Sequence, residues 1–421
     1  MSDRPAIRIR EPKREGQELV FIVAEDSLPP EHLARVLWTA LGDFDLSAFV
    51  EDAKAIEGSV GRRVYSPRMM LALWGYALWN GVVHARQIER LIHRDVTYRW
   101  IVGDMDVGRS RLSYFLTCHR DAMVMLLADL LGALMEANLL GLPTHRLAQD
   151  GTKVRADASV GSFRTVEGLA DCRAQADLHL KAVLAQLDDP PLAKREQEAG
   201  ERGAMDVLDR VKAATKAVAE VQAQRDASKD KKRQTTPAKA STTDPDARMM
   251  RMADGACLPG HNIQFATMGD PSGGPIAIVG VKVTSQGNDK GSLLPMRALV
   301  TEMTEQTPAQ VLADSDHMTL AELRQAIVEG YTIISRAPKT WKPEGPDQDT
   351  ASRAWMAQMQ TPEAKAEYRG RKVLSERPNA ILKSTFEVRR LPVRGNDRVE
   401  SFAWLLAVMV TLHEFRDHWV N

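Results

Sequence analysis

Cysteine is scarce in this chain, and what there is stands alone. Cys118, Cys172 and Cys257 are the three cysteines in 421 residues, far apart and in no Cys-x-x-Cys pair. An odd, scattered set argues against a disulfide scaffold and a cysteine zinc site, and it fits a reducing compartment. Net charge is lacking too. The 56 Lys and Arg balance 56 Asp and Glu, so the whole-chain balance gives no sign of a polyanionic partner. No apolar run approaches the ~18 residues of a membrane span, and the first ten residues lack the apolar stretch of a secretory leader. A soluble, cytoplasmic protein is expected. What is present is ordinary globular material, 44% apolar and 27% charged, in a length that suits two or three domains.

Residues 28–141 read as helical, and 1–141 is the expected N-terminal helical domain. Leu33, Val36, Leu37 and Leu41 recur at helical spacing after Pro29-Pro30-Glu31-His32. Ser66-Pro67 is a start signal, a capping hydroxyl followed by a proline suited to the first turn. Further helices are expected over 85–92, 110–118 and 121–140, the last ending near Gly141-Leu142-Pro143. Basic residues are interleaved here with aromatics, at Arg86, Arg90, His93, Arg94, Tyr98, Arg99, Trp100, Arg109, Arg111 and Tyr114. Two readings stay open: a solvated face on a helical bundle, or a helix-turn-helix-like DNA reader at DNA ends.

The remaining chain, 142–421, reads as a second domain interrupted by an insertion at about 165–242. Stretches 170–187 and 204–225 are rich in Ala, Leu, Lys, Glu and Gln and are split by Asp188-Asp189-Pro190-Pro191, the pattern of a helical hairpin. Residues 228–237 follow as a basic linker, read as a solvated loop rather than a DNA contact. Strand patterns over 262–267 and 276–284 flank a Pro/Gly-rich turn and predict a hairpin. A helix over 292–305, a short strand ending at Asp314, a helix from Thr319 to Glu329 stopped by Gly330, and a strand over 331–335 complete the series. Alternating strands and helices predict an α/β fold, a mixed sheet flanked by helices in the RNase H-like pattern.

Three carboxylates stand out within that order. Asp150 closes the apolar run Arg146-Leu147-Ala148 and precedes a Gly151-Thr152-Lys153 turn. Asp314 closes the run Gln310-Val311-Leu312-Ala313. On adjacent strands the two acids would emerge side by side, acceptor-only groups that need a cation to share a small volume. Hard oxygen ligands suit Mg²⁺ or Mn²⁺. Two such ions can activate a water or 3′-hydroxyl and stabilise the leaving oxygen of a phosphodiester. Glu376 is the third candidate, placed at a helix start because Pro378 is tolerated there. Lys383, two turns further, would share its face and meet a phosphate. Over 365–398 ten Lys and Arg face four Asp and Glu, a local positive surface that the overall balance conceals. Each acid alone is more often a cap or turn residue; the set carries the argument. Glu400, on an amphipathic helix with Phe402, Leu405, Leu406, Val408 and Met409, reads as a solvated residue, and His317 and His413 as satisfied histidines.

With these features the chain resembles bacterial insertion-sequence transposases of the DDE type. The likeness rests on Asp150-Gly151-Thr152-Lys153 with Ala156-Asp157-Ala158-Ser159, on residues 243–264, on Val311-Leu312-Ala313-Asp314-Ser315, and on Tyr368-x2-Arg371-x4-Glu376-x6-Lys383. Residues 61–69 add a resemblance to the family's N-terminal domain. It implies a catalytic and metal-binding triad of Asp150, Asp314 and Glu376, with a two-metal Mg²⁺ or Mn²⁺ site. Lys153, Arg371, Lys383, Arg390 and Arg394 are the implied DNA contacts. The partners implied are double-stranded DNA, as terminal inverted repeats and target, and a second copy in a homodimer. The implied chemistry is nicking at transposon ends and attack of the freed 3′-hydroxyl on target DNA. The chain departs from the family in three places. Ser315-Asp316-His317 replaces Ser-Gly-Tyr, Arg377-Pro378-Asn379-Ala380 lacks an aromatic and a glycine, and His261 replaces a frequent tyrosine. An alternative reading keeps the fold without the chemistry, as a remnant that binds DNA ends and regulates transposition; a nuclease of the same fold is a third.

Overall fold

The computed structural model describes residues 23–51, 64–103, 105–140, 146–186, 194–227, 231–342, 345 and 349–420. Expectations at 1–10, Gly61-Arg62-Arg63, Gly141-Leu142-Pro143, Asp188-Asp189-Pro190-Pro191 and Ser228-Lys229-Asp230 lie outside the described residues. Six helices come first among those described: α1 (Leu33–Gly42), α2 (Pro67–Trp79), α3 (Ala85–Ile92), α4 (Val96–Val102), α5 (Arg109–Cys118) and α6 (Arg120–Glu136). Ser66 caps α2 by accepting from the Met69 N–H, with Pro67 in the first turn, as its sequence signal predicts.

Strand β1 (Arg146–Arg155) opens the sheet. A two-residue pair, β2 (Phe163–Arg164) with β3 (Ala240–Ser241), brackets α7 (Val166–Gln186), α8 (Lys194–Asp226) and α9 (Lys231–Thr235). The insertion is therefore a helical hairpin, and the stretch read as linker holds the short α9. Strands β4 (Arg248–Arg251), β5 (Cys257–Gly269) and β6 (Ile276–Thr284) follow, then α10 (Leu293–Thr304), β7 (Gln310–Leu312), α11 (Leu320–Glu329) and β8 (Thr332–Ile334). Three helices finish the series: α12 (Thr350–Gln358), α13 (Pro362–Ala380) and α14 (Asn396–Glu414). β5 pairs antiparallel with β1 and β6, while β7 runs parallel to β1 and β8 parallel to β7. The order is β6-β5-β1-β7-β8, with β4 on the first residues of β5. The fold is mixed α/β. α11 carries a full capping box, Thr319 with Glu322, and ends at Gly330 in the left-handed region.

Three expectations are corrected. Gly151-Thr152-Lys153 is strand, not turn, and Asp150 sits mid-strand opposite Phe265. Gly151 is needed here for a different reason: a Cβ would lie 2.2 Å from Gln264 Nε2 and 2.4 Å from Asp289 Oδ1. Secondly, Glu376 is not near a helix start, because α13 begins at Pro362 and Pro378 lies inside it. Pro378 has no N–H for the Leu374 carbonyl four residues earlier. Thr267 on β5 supplies that donor, its hydroxyl 2.9 Å from Leu374 O in a buried contact. Removing the hydroxyl in Thr267→Val should leave a buried carbonyl unpaired and cost about 1–3 kcal/mol. Chemical denaturation would measure it; a variant as stable as the wild type would show that α13 does not lean on β5 for this bond.

The third correction concerns α14, which is buried on all sides from Phe402 to Leu412 rather than amphipathic. It packs between β6 and the N-terminal helices α5 and α6, so one hydrophobic core includes Trp74, Leu127, Val279 and Trp404. Cross-links confirm the packing: Trp79 Nε1 donates to Met409 O at 3.1 Å and Ser401 Oγ to Leu116 O at 2.6 Å. Glu400 ion-pairs with Arg120 on α6 at 3.0 Å, a bond between helices and not a free solvated acid.

Candidate functional site

Strand register brings the first two carboxylates together. Ala148 pairs with Leu312 across β1 and β7, and Asp150 and Asp314 each lie two residues further on. Neighbouring strands run ~4.8 Å apart. Asp150 is half-buried, and burial pushes its carboxyl up to about 6. The Arg371 guanidinium and the Gly151 N–H oppose that rise, while Asp289 and Asp314 add to it. Asp150 Oδ1 accepts from Gly151 N at 3.0 Å and Oδ2 from Asn379 Nδ2 at 3.1 Å. Asp314 Oδ1 accepts from Ser315 N at 2.7 Å and from the Tyr368 hydroxyl at 3.3 Å.

Helix α13 crosses the sheet over this pair. Tyr368, Arg371, Ser375 and Asn379 recur at three- and four-residue spacing, which places them on one face. Arg371 lies over the Tyr368 ring at 5.3 Å and donates to Ser375 Oγ at 3.4 Å. Lys383 comes from the wide turn Ile381–Thr385 that follows Pro378. Burial draws its pKa down, and the charge of Asp150 opposes the shift. Glu376 lies on α13 too, exposed, with no hydrogen bond or ion pair among the described residues. No three His, Cys, Asp or Glu side chains among those residues are grouped so as to hold a metal ion. The donors that fit a hard cation are thus the Asp150–Asp314 pair, gathered where burial already opposes their charge.

The other expected DNA contacts lie further out. Lys153 is paired on β1 with Asn262. Arg390 and Arg394 both ion-pair with Asp157, at 2.7 and 2.8 Å. In the N-terminal region the aromatics turn inward: Tyr98 is buried edge-on to Tyr76, and Trp100 packs edge-on to Trp38. Tyr114 stays exposed. A cavity of about 550 Å³ between α3, α5 and the 392–393 segment is lined by Arg86, Arg90 and Arg109.

Asp289 is the acid that the sequence reading missed. It follows β6 and accepts from Asn262 Nδ2 at 2.6 Å and from Gln264 Nε2. Gln264 also meets His317 Nε2 at 3.3 Å and Gln149 Nε2 at 3.4 Å, and Gln149 donates to Ser292 Oγ at 2.9 Å. This buried network lies behind Asp150 through the space that Gly151 leaves. The one signal in sequence was Asn288-Asp289 between two glycines, ahead of Ser292 at the start of α10. His317 is buried and its pKa is lowered by that burial, against the pull of Asp289 and Asp314; Asp316 is exposed. His261 is buried between Asp244 and Asn396, 2.9 Å from each. Burial pushes the Asp244 carboxyl up, but His261 and nearby backbone N–H groups outweigh it and hold it below its ordinary value.

Residues 22–116 match the family model of a transposase domain (DUF772). The match covers the N-terminal helices, about a quarter of the chain. That match supports an insertion-sequence transposase, a protein whose work is transposition and whose substrate is DNA. No curated protein and no solved structure matches the chain. The transposase domain spans α1 to α5, and α14 ties it to the sheet that carries Asp150. Among the described residues, no helix is long and apolar enough to cross a membrane.

Proposed function

We propose that this chain is a DDE transposase that cuts DNA at insertion-sequence ends and joins them to target DNA. The observation that carries the reading is the Asp150–Asp314 pair, brought together by the adjacent strands β1 and β7, with Arg371 on α13 and Lys383 on the turn that follows it. The order β6-β5-β1-β7-β8, antiparallel on one side of β1 and parallel on the other, supports an RNase H-like core. Asp150 and Asp314 would hold Mg²⁺ or Mn²⁺, with Glu376 of α13 as the third carboxylate. The bound ions supply Lewis-acid activation of the attacking hydroxyl and stabilise the leaving oxygen. Arg371 and Lys383 place positive charge where the scissile phosphate enters and hold it against β1. Tyr368 keeps Asp314 oriented and Asn379 does the same for Asp150. The cavity lined by Arg86, Arg90 and Arg109 supports end binding by the transposase domain, and joining two ends supports a homodimer acting on DNA in the cytoplasm.

The test uses purified protein and DNA flanking its own gene, with Mg²⁺ or Mn²⁺ and products resolved on a denaturing gel. Metal-dependent nicks at one position on each flank are expected, lost in Asp314→Ala and in Glu376→Ala. Binding without any nick would favour a DNA-end-binding regulator instead. Nicking that survives Glu376→Ala would remove Glu376 from the triad.

A further inference from the structure

We propose that the basic cavity between the helical insertion and the sheet edge binds the phosphate backbone of double-stranded DNA about half a helical turn from the catalytic carboxylates. The inference rests on the functional reading above and adds a surface to it. The cavity measures about 1140 Å³ and lies between α8, α9 and the 236–239 segment on one side, and β4 with residues 285–288 on the other. Arg225, Lys232, Lys239, Arg248 and Arg251 line it, and no Asp or Glu does among the described residues. In a chain with no net charge, five cations around one concavity concentrate positive potential, and the walls focus it. Two of the arginines are anchored by backbone carbonyls: Arg225 donates to Thr236 O, and Arg248 to Pro245 O at 2.6 Å. Arg248 also ion-pairs with Glu220 at 3.9 Å and feels the charges of Asp246 and Asp244, so the other four cations carry most of the positive potential.

Strand register fixes where this cavity stands. Arg248 on β4 pairs with Gly260 on β5, and Gly260 pairs with Arg155 on β1. Asp150 lies five residues back along β1, about 17 Å at ~3.4 Å per residue. One turn of B-form DNA is about 34 Å. With the two strand spacings of ~4.8 Å between β1 and β4 added, the separation is about 20 Å, so one duplex with its scissile phosphate at Asp150 is long enough to reach the cavity. The charge run that reads in sequence as a solvated loop thus contributes to one wall of a built site.

The test is the salt dependence of binding to a 40-base-pair duplex by wild-type protein and by the double variant Lys239→Gln, Arg251→Gln. Both side chains are exposed and remote from Asp150, and a thermal melt checks that the fold is kept. Each phosphate contact contributes ~0.9 to the slope of log K against log salt, so a fall of about 1.8 is expected. An unchanged slope in a folded variant would overturn the proposal, as would duplex RNA competing as well as DNA of the same length. A second measurement separates this from the catalytic reading. Nicking of a duplex that stops short of half a turn beyond the cut should be equal in both proteins. A reduced slope with no nicking in the wild type would keep the cavity and refute the chemistry; a full slope with normal nicking would do the reverse.

Discussion

Asp150→Asn is expected to abolish DNA cutting and, at neutral pH, to make the protein more stable. The carboxyl titrates near 6 in the fold against an ordinary 3.8. A folded pKa above the unfolded one means that this group's contribution is fully present below pH 3.8 and is lost as pH rises through 6. About two units correspond to at most about 3 kcal/mol withheld from the metal-free protein at pH 7. Asparagine removes the charge without removing the shape. The Asn379 Oδ1, which has no hydrogen-bond partner among the described residues, can then accept from the new amide. Melts from pH 4 to 8 should show the variant ahead at pH 7 and level with the wild type near pH 4. Cleavage should fall by on the order of 10³-fold or more, as when a residue of a coupled catalytic set is removed. A variant less stable at pH 7, or one that cuts normally, would remove Asp150 from the centre of the site.

Trp404→Ala should unfold the transposase domain and the sheet together. The indole is buried at the middle of α14 and belongs to the core shared by both parts. Truncating a buried tryptophan costs about 3–5 kcal/mol, a large share of a typical domain's stability. Its Nε1 has no hydrogen-bond partner among the described residues, so Trp404→Phe loses no bond and should cost less. Guanidinium unfolding should keep one transition, moved to lower denaturant. A second transition, with the N-terminal helices unaffected, would mean that α14 joins two independent units.

Much of the helical framework was legible because caps act locally. Ser66-Pro67, Thr319 with Glu322, and Gly330 each satisfy a helix end with groups a few residues away, so sequence spacing alone finds them. The hairpin over β5 and β6 was found by the same locality. The errors have a common cause: a distant residue supplies what the local rule demands. Pro378 breaks a helix unless something replaces its missing donor, and Thr267, more than a hundred residues earlier, does so. Gly151 ends a strand unless its bareness is needed, and Gln264 and Asp289 need it. Of the site, Asp150 and Asp314 were legible as acids following short apolar strand runs, although β1 continues past Asp150 to Arg155; their adjacency follows from the observed register. Asp289 was not, because its chemistry depends on two amides, Asn262 and Gln264, more than twenty residues away on β5.

The position of α14 has a cost in time. Trp79 meets Met409 across 330 residues of chain, so α2 and its neighbours must wait for a segment made 330 residues later before their apolar faces are covered. At a synthesis rate of roughly 5–20 residues per second, that wait is roughly 15 to 65 seconds. Contacts this distant also close slowly. Through that interval the nascent transposase domain carries an unsealed hydrophobic groove of α14's dimensions, which makes it a natural client for chaperones that shield such surfaces. A free peptide with the sequence of α14, supplied early, would compete for the same groove and trap the chain open.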